Sequence, residues 1–169
     1  THKLDPDDQW LYLPALKRVK RITSDNRSGS FVGSEFAYED LGSQELEKYK
    51  DRKYLRKEAC PNNNELECHV ISRVPTEKSS GYKYQVLWLD NTAAHKIWKI
   101  DYFDRKGSHL KTLFFEDYKM YLDKHWRPSV YKMINHQTGK STDLLVRNIK
   151  FKVGLSTRDF NSKSLSRAR

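Results

Sequence analysis

The sequence predicts a mainly β fold of antiparallel strands, and three observations carry that expectation. Polar and apolar residues alternate with a period of two in several runs, most plainly from Tyr82 to Leu89. Short groups of turn-forming residues, such as Asp90-Asn91-Thr92 and Arg105-Lys106-Gly107, separate those runs. Four Trp, ten Tyr and seven Phe are spread along the chain, a supply of β-favouring, core-forming aromatics that argues against disorder.

The elements follow in order. An Asp5-Pro6-Asp7-Asp8 turn leads into the aromatic run Trp10-Leu11-Tyr12-Leu13, which reads as a strand. Pro14 cannot donate to a ladder and sets a corner, after which Leu16, Val19 and Ile22 alternate with basic residues in a second strand with one cationic face. Ser28 to Ser34 is a glycine-containing loop that presents Phe31, with Phe36 and Tyr38 just beyond it, so it is expected to hold aromatics against an apolar surface. Leu41, Leu46 and Tyr49 predict a short helix within Asp40 to Lys53. Tyr54–Ala59 and Cys68–Pro75 read as strands joined by an asparagine-rich turn. From Tyr82 the chain becomes a meander: Tyr82, Tyr84, Val86 and Trp88 on one side of a strand, then strands over His95–Asp104, Leu110–Leu122, Trp126–Asn135 and Leu144–Val153. Ser156 and Asp159 have the spacing of a helix cap, with Phe160 and Leu165 on the helix that follows. Several central strands carry apolar groups on both faces, so the sheet needs a covering on each side, supplied by a helix, by more sheet or by a ligand.

At 169 residues the chain is read as one domain spanning 1–169. No apolar run approaches the roughly 20 residues of a membrane-spanning helix. The chain opens Thr1-His2-Lys3, and it is expected to be a processed piece lacking an export signal and its first elements. Its net charge of +10, from 32 basic and 22 acidic residues, points to an anionic partner: nucleic acid, a membrane surface or an acidic protein.

The strings W-x-Y-x-P-A-L-K-R-V-K-R-I, from Trp10 to Ile22, and G-S-F-x-G-S-E-F-x-Y-E-D-L, from Gly29 to Leu41, resemble the bacterial outer-membrane lipoprotein-sorting, or LolA-like, family. The likeness continues more loosely through Trp126-Arg127-Pro128 to Phe160 and Leu165. The resemblance implies a periplasmic protein with a strongly curved antiparallel sheet, an unclosed half-barrel with one or two short helices acting as a lid. Its concave apolar side would accept acyl chains.

Cys60 and Cys68 bracket Pro61 to Glu67, a turn across which two thiols can meet. In the periplasm they would form a disulfide; in a cytosolic protein they would remain free thiols, and a metal site lacks the further ligands it needs. Among motifs with chemistry, Thr138-Gly139-Lys140-Ser141 ends like a phosphate-binding loop, but Ile134 stands where that motif requires its first glycine. Glu35, Glu39 and Asp40 offer carboxylates that acid–base chemistry could use, and the plainer reading has them capping backbone or pairing with Arg18 and Arg21. The six histidines have no metal-ligand spacing. No catalytic residue and no cofactor is therefore assigned.

The combined reading is a non-enzymatic periplasmic carrier for a lipoprotein's acyl chains or a phospholipid. Trp10, Tyr12, Trp88, Trp98 and Phe114 are expected to line the cavity, with Phe31, Phe36 and Tyr38 at its rim and Arg18 and Arg21 facing headgroups or a partner. An inner-membrane transporter and an outer-membrane acceptor are the implied partners. Two other readings stay open: a module that docks a membrane transporter without bound lipid, and a basic single-strand-binding β domain of the stacking type. The spread of aromatics over nearly every strand, instead of one platform, disfavours nucleic acid, and none is expected.

Overall fold

The computed structural model describes residues 8–165. It contains a two-stranded antiparallel hairpin, β1 (Gln9–Leu13) and β2 (Arg18–Ile22), and a seven-stranded sheet. The strands of the sheet are β3 (Tyr49–Cys60), β4 (Asn63–Pro75), β5 (Tyr82–Asp90), β6 (Ile97–Asp104), β7 (His109–Tyr121), β8 (His125–Asn135) and β9 (Ser141–Leu145). Each strand pairs antiparallel with its neighbour in sequence, and β3 and β9 stand at opposite edges, so the sheet is an open meander and not a closed barrel.

Local chemistry explains the connections. Pro14–Leu16 forms one 3-10 turn, and Lys17 at φ 48° reverses the chain so that Leu13 pairs with Arg18 and Gln9 with Ile22. The expected strand, proline corner and strand are thus one tight hairpin. The turn predicted at Asp5 to Asp8 lies outside the described residues except for Asp8. The short helix expected between Asp40 and Lys53 is absent: 3-10 turns occupy Tyr38–Leu41 and Leu46–Lys48, and Tyr49 already starts β3. Gly42 interrupts the segment, and Leu41 and Leu46 stay exposed, so no continuous apolar stripe exists to hold a helix down. The last predicted strand also stops early, at Leu145 instead of Val153, because Asn148 and Lys152 take positive φ values that an extended ladder cannot hold. At the C-terminal end the Ser156 amide donates to Asp159 Oδ2 at 2.7 Å, opening a 3-10 turn over Thr157–Phe160 and a short helix α1 (Ser162–Leu165).

The sheet buries two apolar faces. On one, Leu87, Ile100, Tyr102, Leu113 and Met133 form a cluster closed from above by Phe36, with Phe31 packed against it. On the other, Val70, Val86 and Trp88 pack with Cys60 and Cys68, and Tyr84, Trp98 and Phe103 extend the cluster. The strict alternation expected from Tyr82 to Trp88 breaks once. A bulge between Tyr82 and Tyr84 turns Tyr82 into the first cluster while Tyr84 stacks on Phe103 at 4.2 Å in the second. Cys60 and Cys68 form a disulfide with a Cα–Cα separation of 4.9 Å, which closes the β3–β4 turn on that second face.

Candidate ligand-binding site

The segment between the hairpin and the sheet, residues 23–48, is held down by a buried ion pair. Lys111 Nζ lies 2.7 Å from Asp40 Oδ2, and the two side chains are 5% and 0% exposed. Asp40 also accepts the Tyr82 hydroxyl at 2.7 Å and the Ala37 amide at 2.7 Å, so both carboxylate oxygens are used. Lys111 donates further to the Glu35 carbonyl, whose own side chain accepts from Asn135 Nδ2 at 2.7 Å. Gly81 permits the close approach: a Cβ there would sit 3.1 Å from Glu39 Oε1 and 3.1 Å from Ser28 Cβ. A bare amide instead donates to Glu39 at 2.8 Å, and Ser80 Oγ donates to the other carboxylate oxygen at 2.7 Å. Burial raises the Glu39 carboxyl above the usual carboxylate range in spite of those two donors.

Clamped in this way, the segment supports two cavities on either side of the Tyr38–Leu41 turn. One is an apolar groove of about 390 Å³. Trp10 and Leu11 of β1, Ile22 of β2, Phe31, Tyr38 and Leu41 of the clamped segment, and Phe160 and Leu165 of the C-terminal turn and helix line it. Phe31 and Tyr38 meet edge to face at 5.5 Å within that lining. Phe160 is 69% exposed, an apolar ring left at the mouth without full burial. The other cavity, of about 300 Å³, is polar and reaches the aromatic wall of Tyr49, Tyr82 and Tyr102, with Glu39 and Asp40 beside it. Burial pushes the Tyr82 and Tyr102 phenols well up, so both stay protonated. Gln9 lines both cavities; its Nε2 donates to the Tyr38 carbonyl at 3.1 Å, while its Oε1 is buried without a hydrogen-bond partner.

The residues singled out from sequence separate into groups. Trp10, Phe31 and Tyr38 come together in the groove. Phe36 is buried in the first cluster beneath it. Trp88 and Trp98 lie on the second face, where Trp88 is 4% exposed under Lys99, whose Nζ stands 3.5 Å from the ring centroid. Phe114 is the cross-strand partner of Lys99 and shares that face. Tyr12 pairs with Val19 farther along the hairpin and lines neither cavity. Arg18 is exposed at the turn end of β2, and Arg21 binds Asp8 at 2.6 Å. The Asp40 partner expected among Arg18 and Arg21 is Lys111 instead, with Glu39 held by Ser80 and Gly81. Leu11, Ile22, Leu41 and Gln9 were missed as site residues. Lys111 had a legible signal, a lone cation inside the apolar run from Leu110 to Phe115, and Phe160 and Leu165 were visible as apolar groups on a capped C-terminal turn.

Comparison with known proteins places the fold. A family model described as that of an uncharacterized protein matches residues 1–167. A solved domain from Vibrio parahaemolyticus, provisionally described as an outer membrane lipoprotein-sorting protein domain, is 52% identical with a TM-score of 0.89, covering 98% of this chain and 68% of its own. A DUF1329 family protein from Desulfovibrio piger is 27% identical with a TM-score of 0.84, over 96% of this chain and 66% of its own. A LolA superfamily protein from Nitrosomonas europaea is 19% identical with a TM-score of 0.60, over 89% of this chain and 67% of its own, and shares the fold. This chain therefore spans about two thirds of the length of each of these structures. No curated protein matches it.

Proposed function

This chain belongs to the LolA-like outer-membrane lipoprotein-sorting family, and from that premise we propose that residues 1–169 form one carrier domain that holds an acyl chain in the groove between the β1–β2 hairpin, the clamped segment and the C-terminal helix. The observation that carries this reading is the groove itself: apolar walls from three separate parts of the chain, with Phe160 exposed at the mouth. Its volume of about 390 Å³ falls in the range of small-molecule sites. Burying about ten methylenes there contributes roughly 8 kcal/mol, which corresponds to micromolar affinity before ordering costs are subtracted. A carrier needs that middle range, firm enough to keep the chain out of water and weak enough to surrender it to an acceptor that buries more.

The Cys60–Cys68 disulfide fits an oxidising compartment and supports a periplasmic site of action. Cargo would be a lipoprotein's acyl chains or a phospholipid, received from an inner-membrane transporter and passed to an outer-membrane acceptor, with no bond made or broken by the protein. Native mass spectrometry of protein purified from periplasm, followed by titration with a fluorescent fatty acid, tests the proposal. Co-purifying acyl species, or saturable probe uptake lost in Trp10→Asp, is the expected result. A ligand-free protein with no probe uptake contradicts it and favours the module that docks a transporter without lipid.

A further inference from the structure

Resting on the carrier reading, we infer that the polar cavity beside the groove is its head subsite and that it selects a lipid whose head carries a protonated primary amine. The placement comes first. The two cavities flank one turn, Tyr38–Leu41, and share Gln9, so an amphiphile with its tail along Trp10 and Phe31 has its polar end directed past Gln9 toward Glu39. Gln9 is common to both linings, and its side-chain amide donates through Nε2 to the Tyr38 carbonyl.

The chemistry of the cavity then selects the head. Gln9 Oε1 is a buried acceptor with no donor among the described residues, a state that costs stability until a donor enters. Glu39 is a carboxylate held by two neutral donors, Ser80 Oγ and the Gly81 amide, with no cation in hydrogen-bond contact among the described residues. Three tyrosines of the wall already face cations: the Arg73 guanidinium sits 3.4 Å over Tyr49, and Lys111 Nζ lies 5.3 Å from Tyr82 and 5.4 Å from Tyr102. The cations in or beside the wall, Arg27, Lys48, Arg73 and Lys111, have partners within the protein, Lys48 donating to the Ser43 hydroxyl. Lys111 is bound to Asp40, Arg27 reaches Glu77 at 3.4 Å, and Arg73 donates to Gln85 at 2.8 Å and to Gln44. Beside the cations Arg27 and Lys48 in its lining, the cavity thus offers a ligand two acceptors, Gln9 Oε1 and Glu39, next to tyrosine rings, a set that an ammonium with three donors complements. The protein's net charge of +10 would draw an anionic head instead, so the inference runs against the global field and is easily separated from it.

A matched series of decylammonium, decyl sulfate and decanol, titrated by calorimetry below their micelle concentrations at about 150 mM salt to screen surface charge, tests this. Decylammonium is expected to bind about tenfold or more tightly than decyl sulfate. Glu39→Gln, whose amide oxygen can still accept from Gly81 while its NH2 donates to a reoriented Ser80 hydroxyl, is expected to reduce that ratio to about twofold while leaving decanol binding intact. Decyl sulfate binding as well as decylammonium, or a ratio unchanged in folded Glu39→Gln, overturns the inference; should the variant fail to fold, the wild-type ratio alone decides. Failure of decanol and both charged probes to bind would instead overturn the carrier reading. Lysophosphatidylethanolamine and a palmitoylated peptide with a free amino terminus represent the two natural sources of such a head. Binding of either that is lost on acetylating its amine supports the inference, and binding that survives acetylation overturns it.

Discussion

The two faces of the seven-stranded sheet solve the same covering problem by different means. The face of Leu87, Ile100 and Met133 is sealed by the protein's own chain, with Phe36 pressed down and a buried Lys111–Asp40 pair holding the lid in place. On the face of Val70, Val86 and Trp88, among the described residues, a disulfide pins one end and long side chains lie over the cluster, Lys99 above Trp88 and the Trp88 indole donating to Glu58. The free apolar space sits above the first face, between its lid and the terminal elements, so the lid is the platform of the groove as well as the cover of the core.

That difference is tested most severely at Lys111. Lys111→Met leaves the Asp40 carboxylate at 0% exposure without its cation, and breaking a buried pair in this way costs about 3 to 5 kcal/mol. Urea unfolding is expected to show a loss of that size together with loss of acyl-probe binding; a loss below about 1 kcal/mol would mean the lid is held by packing alone. Removing the second face's staple, by reduction or by Cys60→Ser with Cys68→Ser, is expected to cost about 2 to 3 kcal/mol for so short a loop, with probe binding retained in the folded fraction. Loss of probe binding at conditions where the reduced protein stays folded would show that the two faces are not independent.

A smaller effect separates groove from core. Phe160→Asp alters a ring that is 69% exposed, so thermal unfolding should shift little while acyl-probe affinity falls about tenfold. Trp88→Glu should do the reverse, unfolding the protein because it places a charge at a site that is 4% exposed. The smallest effect concerns pH. Thr112 Oγ1 lies 2.8 Å from His136 Nε2 and 3.2 Å from His109 Nε2, and the two rings stand 4.3 Å apart. Partial desolvation against the neighbouring rings, then the proximity of His109, lowers the His136 pKa below that of a free histidine. The folded state thus binds fewer protons than the unfolded state, and stability is full above the unfolded value near about 6.5 and declines as pH falls below it. His136→Gln is expected to flatten part of that decline in unfolding curves taken between about pH 7 and 5; an unaltered slope would remove His136 as a contributor.

The sequence conveyed the parts of this molecule that depend on neighbours in the chain. Period-two alternation, the turns at Asp90 and Gly107, the proline corner and the C-terminal cap each report local backbone preferences, and each appears in the structure. What was hidden depends on distant meetings. Asp40 and Lys111 find each other across 71 positions. The groove draws Trp10, Phe31 and Phe160 from three regions that share no local pattern. The bulge at Lys83 adds one residue to a regular strand, too small a change to disturb the alternation, yet it moves Tyr82 to the other face. Trp88 and Trp98 illustrate the same limit, since aromatic size announces burial without saying under what.

The central claim is that an acyl chain lies against Trp10. Bromine quenches only a nearby indole, so titrating a bromine-labelled fatty acid into the protein and following tryptophan fluorescence reads that contact directly. Saturable quenching that disappears in Trp10→Phe and persists in Trp88→Phe is the predicted result. Quenching that survives in Trp10→Phe and vanishes with Trp88 or Trp98 would place the chain on the opposite face and contradict the account.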